Sequence, residues 1–257
     1  MRRYRGLRGA IAVVGLTVAG AVVLAALSAT PAAAQSVNRN AIDDLNEQLL
    51  YVALPLVLFV EITLLYAVYR FRDNDDPRPT TKDSPLEITW TVATGVILLF
   101  VGISAYFVLA NPYITPAAAD TPTAELEGDP VEIDVVAYQW GWEFRYPEAN
   151  ATNRETVVIP RGRDVVFSLR TRDVIHSFYV PDLGLKQDVI PGQETRIRTR
   201  ATQVGRYRVY CAELCGVGHA RMRGSVAVVS PAAYDQWLQT GDLPANATAT
   251  AESTPGA

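Results

Sequence analysis

The stretch CAELCGVGHARM, residues 211–222, packs two thiols, a carboxylate, an imidazole and a thioether into twelve positions. The whole chain of 257 residues has only two Cys (Cys211, Cys215), two His (His176, His219) and one Met besides the initiator (Met222). Four of these five soft-metal ligands therefore share one short run, where random placement would scatter them. A Cys211–Cys215 disulfide suits an oxidising compartment but leaves His219 and Met222 unexplained. A structural zinc site wants a second two-ligand knuckle and has little use for Met; only His176 could contribute to one. A redox dithiol wants its Cys pair at a helix N-terminus beside a βαβ unit, and no such pattern is present. Thiolate, imidazole and thioether together are the ligand set of copper electron-transfer sites. A mononuclear site needs one Cys, whereas two thiolates can each bridge two metals. That leaves one His per copper and one weak ligand apiece: Met222 for one, a loop carbonyl such as that of Glu213 for the other. The residues close on a binuclear copper centre with no ligand left over.

The elements that must position this loop are legible in the hydropathy pattern. Residues 1–34 read as a secretory signal: Arg2, Arg3, Arg5 and Arg8, an apolar run over 10–27, then Ala32-Ala33-Ala34 before Gln35. Two further apolar runs, at about 49–69 and 88–110, are each long enough to cross a hydrocarbon core as a helix. They define a hairpin over 35–110. The first run carries a single charge, Glu61, costly against lipid and therefore expected to face a partner helix. The short connection contains Arg70, Arg72, Arg78 and Lys82, while 111–130 contains no Lys or Arg. The positive-inside rule thus predicts a cytoplasmic connection with both outer ends across the membrane. A Pro, Ala and Thr-rich linker fills 111–128. From Val131 the period changes to two, in VEIDV, DVVFSL, TRIRT, RYRVY and GSVAVV, separated by Gly and Pro. Alternating short strands predict an all-β sandwich over 129–230, with His176 at the end of a strand in VIHSF. Ser230-Pro231 opens a short helix in AAYDQWLQ, and the Ala, Thr and Pro-rich tail to residue 257 reads as disordered.

Composition narrows the function classes. The formal charge is −4, and the chain has 21 Arg but only 2 Lys, a bias of genomic composition. No basic patch interleaved with aromatics is visible, which argues against nucleic acid as a partner.

The spacing C-x-E-x-C-x₃-H-x₂-M, with HSFYVPDLGLKQDVIPG and AYQWGWEFRY upstream, resembles subunit II of the cytochrome c oxidases of the haem–copper superfamily. The resemblance runs from about Glu47 to Val229 and includes the hairpin. It implies a cupredoxin-like domain holding the mixed-valence copper A pair. Carried over by position, the ligands are His176, Cys211, Cys215, His219, Met222 and the Glu213 carbonyl. The Glu213 carboxylate would also help to bind magnesium at the border with subunit I. Trp140, in QWGW, matches the exposed indole through which electrons enter, and Glu87, in PLEITW, matches the acid at the mouth of a proton-uptake path. Asp173 and Glu143 are candidates for docking a basic donor. The implied partners are the haem-bearing subunit I, subunit III, membrane lipid and a soluble donor, either cytochrome c or a blue copper protein. The implied location is a prokaryotic plasma membrane with the copper domain outside.

Three other readings fit less well. A dithiol copper carrier would show C-x₃-C-P and a βαβ pattern, but Gly216 follows Cys215. Nitrous oxide reductase shares the copper motif but needs a His-rich domain that two His cannot supply. Quinol oxidase subunits share the hairpin without the copper ligands.

Overall fold

A computed structural model of the chain describes residues 35–77, 79, 81–115 and 129–242. The signal sequence, most of the linker and the C-terminal tail lie outside the described residues. Two helices come first, α1 (Val37–Phe71) and α2 (Ser84–Leu109), both long and apolar enough to cross a membrane. Ser36 caps α1, its Oγ accepting from Arg39 N at 3.1 Å, and Asp83 caps α2 through Leu86 N. At 35 residues α1 rises about 52 Å, against a hydrocarbon core of about 30 Å. The helix therefore starts twelve residues before the apolar run that announces it. Hydropathy marks the stretch that can sit in lipid, and the polar turns before it are held by other contacts.

Ten strands follow: β1 (Val131–Tyr138), β2 (Gly141–Tyr146), β3 (Ala151–Arg154), β4 (Thr156–Pro160), β5 (Val165–Thr171), β6 (His176–Val180), β7 (Leu185–Val189), β8 (Thr195–Thr199), β9 (Gly205–Cys211) and β10 (Arg223–Val229). They form two five-stranded sheets, ordered β3-β2-β1-β5-β8 and β4-β10-β9-β6-β7. The β1–β5 and β4–β10 pairs are parallel and the rest antiparallel. The inner faces enclose Ile133, Trp142, Phe144, Ile159, Phe167, Leu169 and Phe178, all fully buried. The result is an all-β cupredoxin-like sandwich preceded by a two-helix transmembrane hairpin. Helix α3 (Pro231–Thr240) belongs to this core, because Tyr234 and Trp237 are buried and Trp237 packs edge-on against Tyr146 at 4.7 Å.

The start of α1 is stitched to the sandwich. Thr202 N donates to Gln35 O at 2.9 Å and Val37 N to Arg200 O at 3.1 Å. Ser36 Oγ donates to Leu183 O at 2.6 Å, and Asn38 Nδ2 donates to the carbonyls of Arg198 and Tyr113. Tyr113, just past α2, completes the joint by donating to Asp164 Oδ1 at 2.6 Å, while Arg200 grips both oxygens of the same carboxylate. Burial of Asp164 is outweighed by these partners, so its carboxyl is held below the usual range. Burial and the same carboxylate push the Tyr113 hydroxyl up to about 12. Tyr113→Phe is expected to weaken this joint by about 1.5–3 kcal/mol, since it removes a hydrogen bond to a buried charge. A lowered thermal midpoint would register it, and an unchanged midpoint would show that the joint holds without the hydroxyl.

Candidate metal centre

Strands β6 and β9 are neighbours, and their paired residues Phe178 and Cys211 set the level at which the site forms. Cys211 is the last residue of β9, and the chain returns to β10 through the eleven residues that carry the other ligands. The loop is closed at its base by Cys211 N donating to Met222 O at 3.2 Å, and tied to β6 by Ala212 N donating to Ser177 O at 3.0 Å. Gly216 takes φ +111, a conformation side chains rarely adopt. A 3₁₀ turn, His219–Arg221, then brings His219 and Met222 back towards the two thiols. His176 opens β6 rather than ending a strand, so its ring is placed by the first residue of a rigid element.

The donor atoms fall into a near-symmetric set. Cys211 Sγ lies 3.8 Å from Cys215 Sγ, too far for the ~2.05 Å bond of a disulfide, and both thiols are free. Cys211 Sγ is 3.7 Å from His176 Nδ1, and Cys215 Sγ is 3.7 Å from His219 Nδ1. The Glu213 carbonyl lies 3.2 Å from Cys211 Sγ, and Met222 Sδ lies 3.8 Å from Cys215 Sγ. His176, Cys211, Cys215 and Met222 are buried. His176 and the two Cys offer donor atoms within 4.8 Å of one another, a grouping able to hold a metal ion. Each thiol thus has one imidazole and one weak donor beside it, which is the chemistry a thiolate-bridged copper pair asks for.

The electrostatics agree with thiolate formation. Burial opposes ionisation of Cys211, but contact with His176 and with the backbone at Glu213 and Ser177 draws its thiol down to about 6. Burial and the neighbouring Cys211 push Cys215 up to about 11.

Trp140 sits in the β1–β2 turn above this loop, 40 % exposed, with Nε1 donating to Cys215 O at 3.2 Å. Gln139 Nε2 donates to the same carbonyl at 2.7 Å. Gly218 lies under the indole: a Cβ there would come within 2.2 Å of its ring. Glu87 lies in the first turn of α2 and is half-buried, far in sequence from the loop that carries the thiols.

Asp173 and Glu143 are not free docking acids. Asp173 Oδ1 is 2.9 Å from His176 Nε2, and its Oδ2 accepts from Gln139 N at 2.7 Å. It orients the His176 ring and anchors the turn that carries Trp140, the kind of support that carboxylates give to a histidine at a metal site. The spacing of Asp173 and His176, three apart at the mouth of a strand, is the signal that could have revealed this. Glu143 lies on the outer sheet face, yet only 7 % of its side chain is exposed, because Arg145, Arg172 and Arg154 converge on it. The Arg145 guanidinium holds this carboxyl below the usual range against the opposing effect of burial, and Arg172 adds to it.

Known proteins share this organisation. The family model described as cytochrome c oxidase subunit II, transmembrane domain, matches residues 24–108, and that of the subunit II periplasmic domain matches residues 151–229. Cytochrome c oxidase subunit 2 of Cereibacter sphaeroides is 32% identical over 252 residues, covering 82% of this chain and 78% of the relative. A probable cytochrome c oxidase subunit 2 of Rickettsia bellii is 32% identical over 213 residues, covering 74% and 75%. Among solved structures, the periplasmic domain of subunit II of the Bradyrhizobium japonicum cytochrome oxidase aligns with a TM-score of 0.43 at 26% identity, over 45% of this chain and 95% of that one. With similarity that runs through both the hairpin and the sandwich, the chain belongs to the cytochrome c oxidase subunit 2 family, a membrane component of an oxidoreductase complex.

Proposed function

We propose that this chain is the electron-accepting subunit of a terminal oxidase, receiving electrons from a soluble donor at a copper A centre and passing them to haem in subunit I. The observation that carries this is the paired arrangement of donor atoms, with Cys211 and Cys215 central and His176, His219, Met222 and the Glu213 carbonyl flanking them. Bound there, a copper pair supplies one-electron redox chemistry. The zipped loop base and the Asp173–His176 contact hold the donors in position. Burial keeps water from the thiolates. Trp140 offers a flat aromatic surface to the donor and touches the loop through the Cys215 carbonyl.

The remaining assignments follow the same reading. The Glu213 carboxylate is half-buried beside the loop and would help to hold magnesium against subunit I. Glu87, in the first turn of α2 with its charge near the helix N-terminus, is suited to collecting protons for a pumping complex in which subunit I reduces oxygen to water. Subunit III completes the expected assembly. Residues 1–34 would act as a cleaved signal, leaving the sandwich outside a prokaryotic plasma membrane and the Arg-bearing connection inside.

Copper loading of the full-length chain, followed by electron paramagnetic resonance, tests this. Hyperfine structure from one electron shared over two coppers is the expected spectrum. A single-copper spectrum at full loading would remove the bridging role of one thiol and favour a copper-carrier function. Trp140→Ala is expected to slow reduction by the donor by at least about tenfold, through loss of a positioned contact, with copper content unchanged. Loss of copper instead would make Trp140 a structural support of the loop.

A further inference from the structure

We propose that Gly218 is a positioning residue for electron entry: by carrying no side chain, it lets the Trp140 indole lie flat on the ligand loop. The proposal rests on the reading of Trp140 as the point where electrons arrive, and it adds what sets the distance from that indole to the ligands. A Cβ built on Gly218 would fall 2.2, 2.5 and 2.7 Å from Cδ2, Cγ and Cε2 of Trp140. These three ring atoms are bonded in sequence, and a point so close to all of them lies over the face of the indole rather than beyond its rim. A Cβ on Gly216 would lie 3.6 Å from Cζ2 and from Nε1. The indole N–H donates to Cys215 O at 3.2 Å, and Gln139 Nε2 donates to the same carbonyl at 2.7 Å. The seat therefore runs from Cys215 to Gly218, the stretch that leads from one thiol to the His219 imidazole.

The two glycines serve different ends. Gly216 has φ +111, so its backbone itself calls for glycine. Gly218 has φ −92 and ψ 2, a conformation open to residues with side chains. The turn would accept a side chain at 218, and the indole would not. Carbon atoms in contact need about 3.5 Å, so a methyl on Gly218 would lift the ring by more than about 1 Å from its present 2.2 Å approach. The Nε1–H bond to Cys215 O is already at the long end of the normal range and would break. With 40 % of its surface exposed, the indole has room to move outwards. A donor could still meet it there, but the ring would have lost its contact with the loop. The transfer itself removes one electron from the donor and adds it to the centre behind the indole, and no bond forms or breaks.

The test pairs the copper-loaded oxidase with the copper-free full-length chain. In stopped-flow reduction by a c-type cytochrome, Gly218→Ala is expected to lower the limiting rate at saturating donor about tenfold. The donor concentration giving half that rate, the copper content and the electron paramagnetic resonance spectrum should stay as they are. In the Trp140→Ala background the same substitution should change neither rate nor thermal midpoint, because the atoms it would strike are gone. A second readout needs no copper. In the chain labelled with ¹⁵N-tryptophan, the Trp140 indole N–H is identified by its absence in Trp140→Ala, and in Gly218→Ala it should exchange with solvent faster. An unchanged limiting rate in Gly218→Ala would overturn the proposal, as would unchanged exchange or equal slowing in both backgrounds. If Gly218→Ala loses copper, its recovery in the double variant would place the fault in the overlap with the indole. Copper still lost there would make the glycine a requirement of the loop and overturn the proposal. Trp140→Ala alone separates the two layers. If it slows reduction while Gly218→Ala does not, only the role of Gly218 fails; if it leaves reduction unchanged, the reading of Trp140 beneath it fails.

Discussion

Cys211→Ser is expected to abolish donor-linked turnover, by far more than the 10- to 100-fold losses typical of residues that merely support a metal ligand. The sulfur is central to the donor set: it lies within 3.8 Å of Cys215 Sγ, of His176 Nδ1 and of the Glu213 carbonyl. A serine hydroxyl fits the space and can donate to the same carbonyl, so the strands remain paired and stability changes by only about 1–2 kcal/mol. It is a poor soft-metal ligand, however, and cannot bridge as a thiolate does. Two measurements belong together, the copper content of the purified chain and its thermal midpoint. Copper lost with the midpoint nearly unchanged is the expected pair of results. Normal turnover in this variant would eliminate copper bridging by Cys211.

Trp142→Ala is expected to cost about 3–5 kcal/mol, the range for emptying a buried aromatic site. The indole is fully buried and packs edge-on against Phe178 at 5.4 Å and against His176 at 6.3 Å. Such edge-to-face contacts add to the loss from burial alone. A domain stable by about 5–15 kcal/mol would keep its fold with a much reduced margin. The cavity would open directly behind the His176 ring, so weakened copper retention should accompany the lowered midpoint. A drop below about 1 kcal/mol would mean that the core collapses into the space, which Phe144 and Phe167 could fill only by leaving their own contacts with Phe178.

The ligand loop was legible because its chemistry is local. Five of the six donors come from residues 211–222, and their spacing survives any choice of fold. The strands were legible where one face is solvated, as in β9, where Arg206 and Arg208 alternate with Tyr207 and Val209. β4 gives no such signal, since all five of its residues are buried, and β3 is only four residues long. Glu143 shows a different limit. Period two places it correctly on the outer face, between Trp142 and Phe144, but alternation along one strand says nothing about the arginines brought over it from β3 and β5. Asp173 is exposed, as a surface acid should be, but its contact with Gln139 N depends on the approach of the β1–β2 turn, which spacing along the β5–β6 connection does not reveal. The polar start of α1 was missed because its anchoring partners, Leu183 and Arg198, lie more than a hundred residues away.

That separation bears on how the protein is made. Asn38 and Arg198 are 160 residues apart, and Ser36 and Leu183 are 147 apart. At a synthesis rate of about 5–20 residues per second, the start of α1 waits roughly 10–30 s for its binding strand to exist. Through that interval the start of α1 stays unclasped while β1 to β8 are synthesised. Contacts this distant close slowly, so the clasp lags behind the local hairpins of the sandwich. Assembly thereby has a natural order: the start of α1 can lock to the outer domain only once the segment from Leu183 to Arg198 is in place.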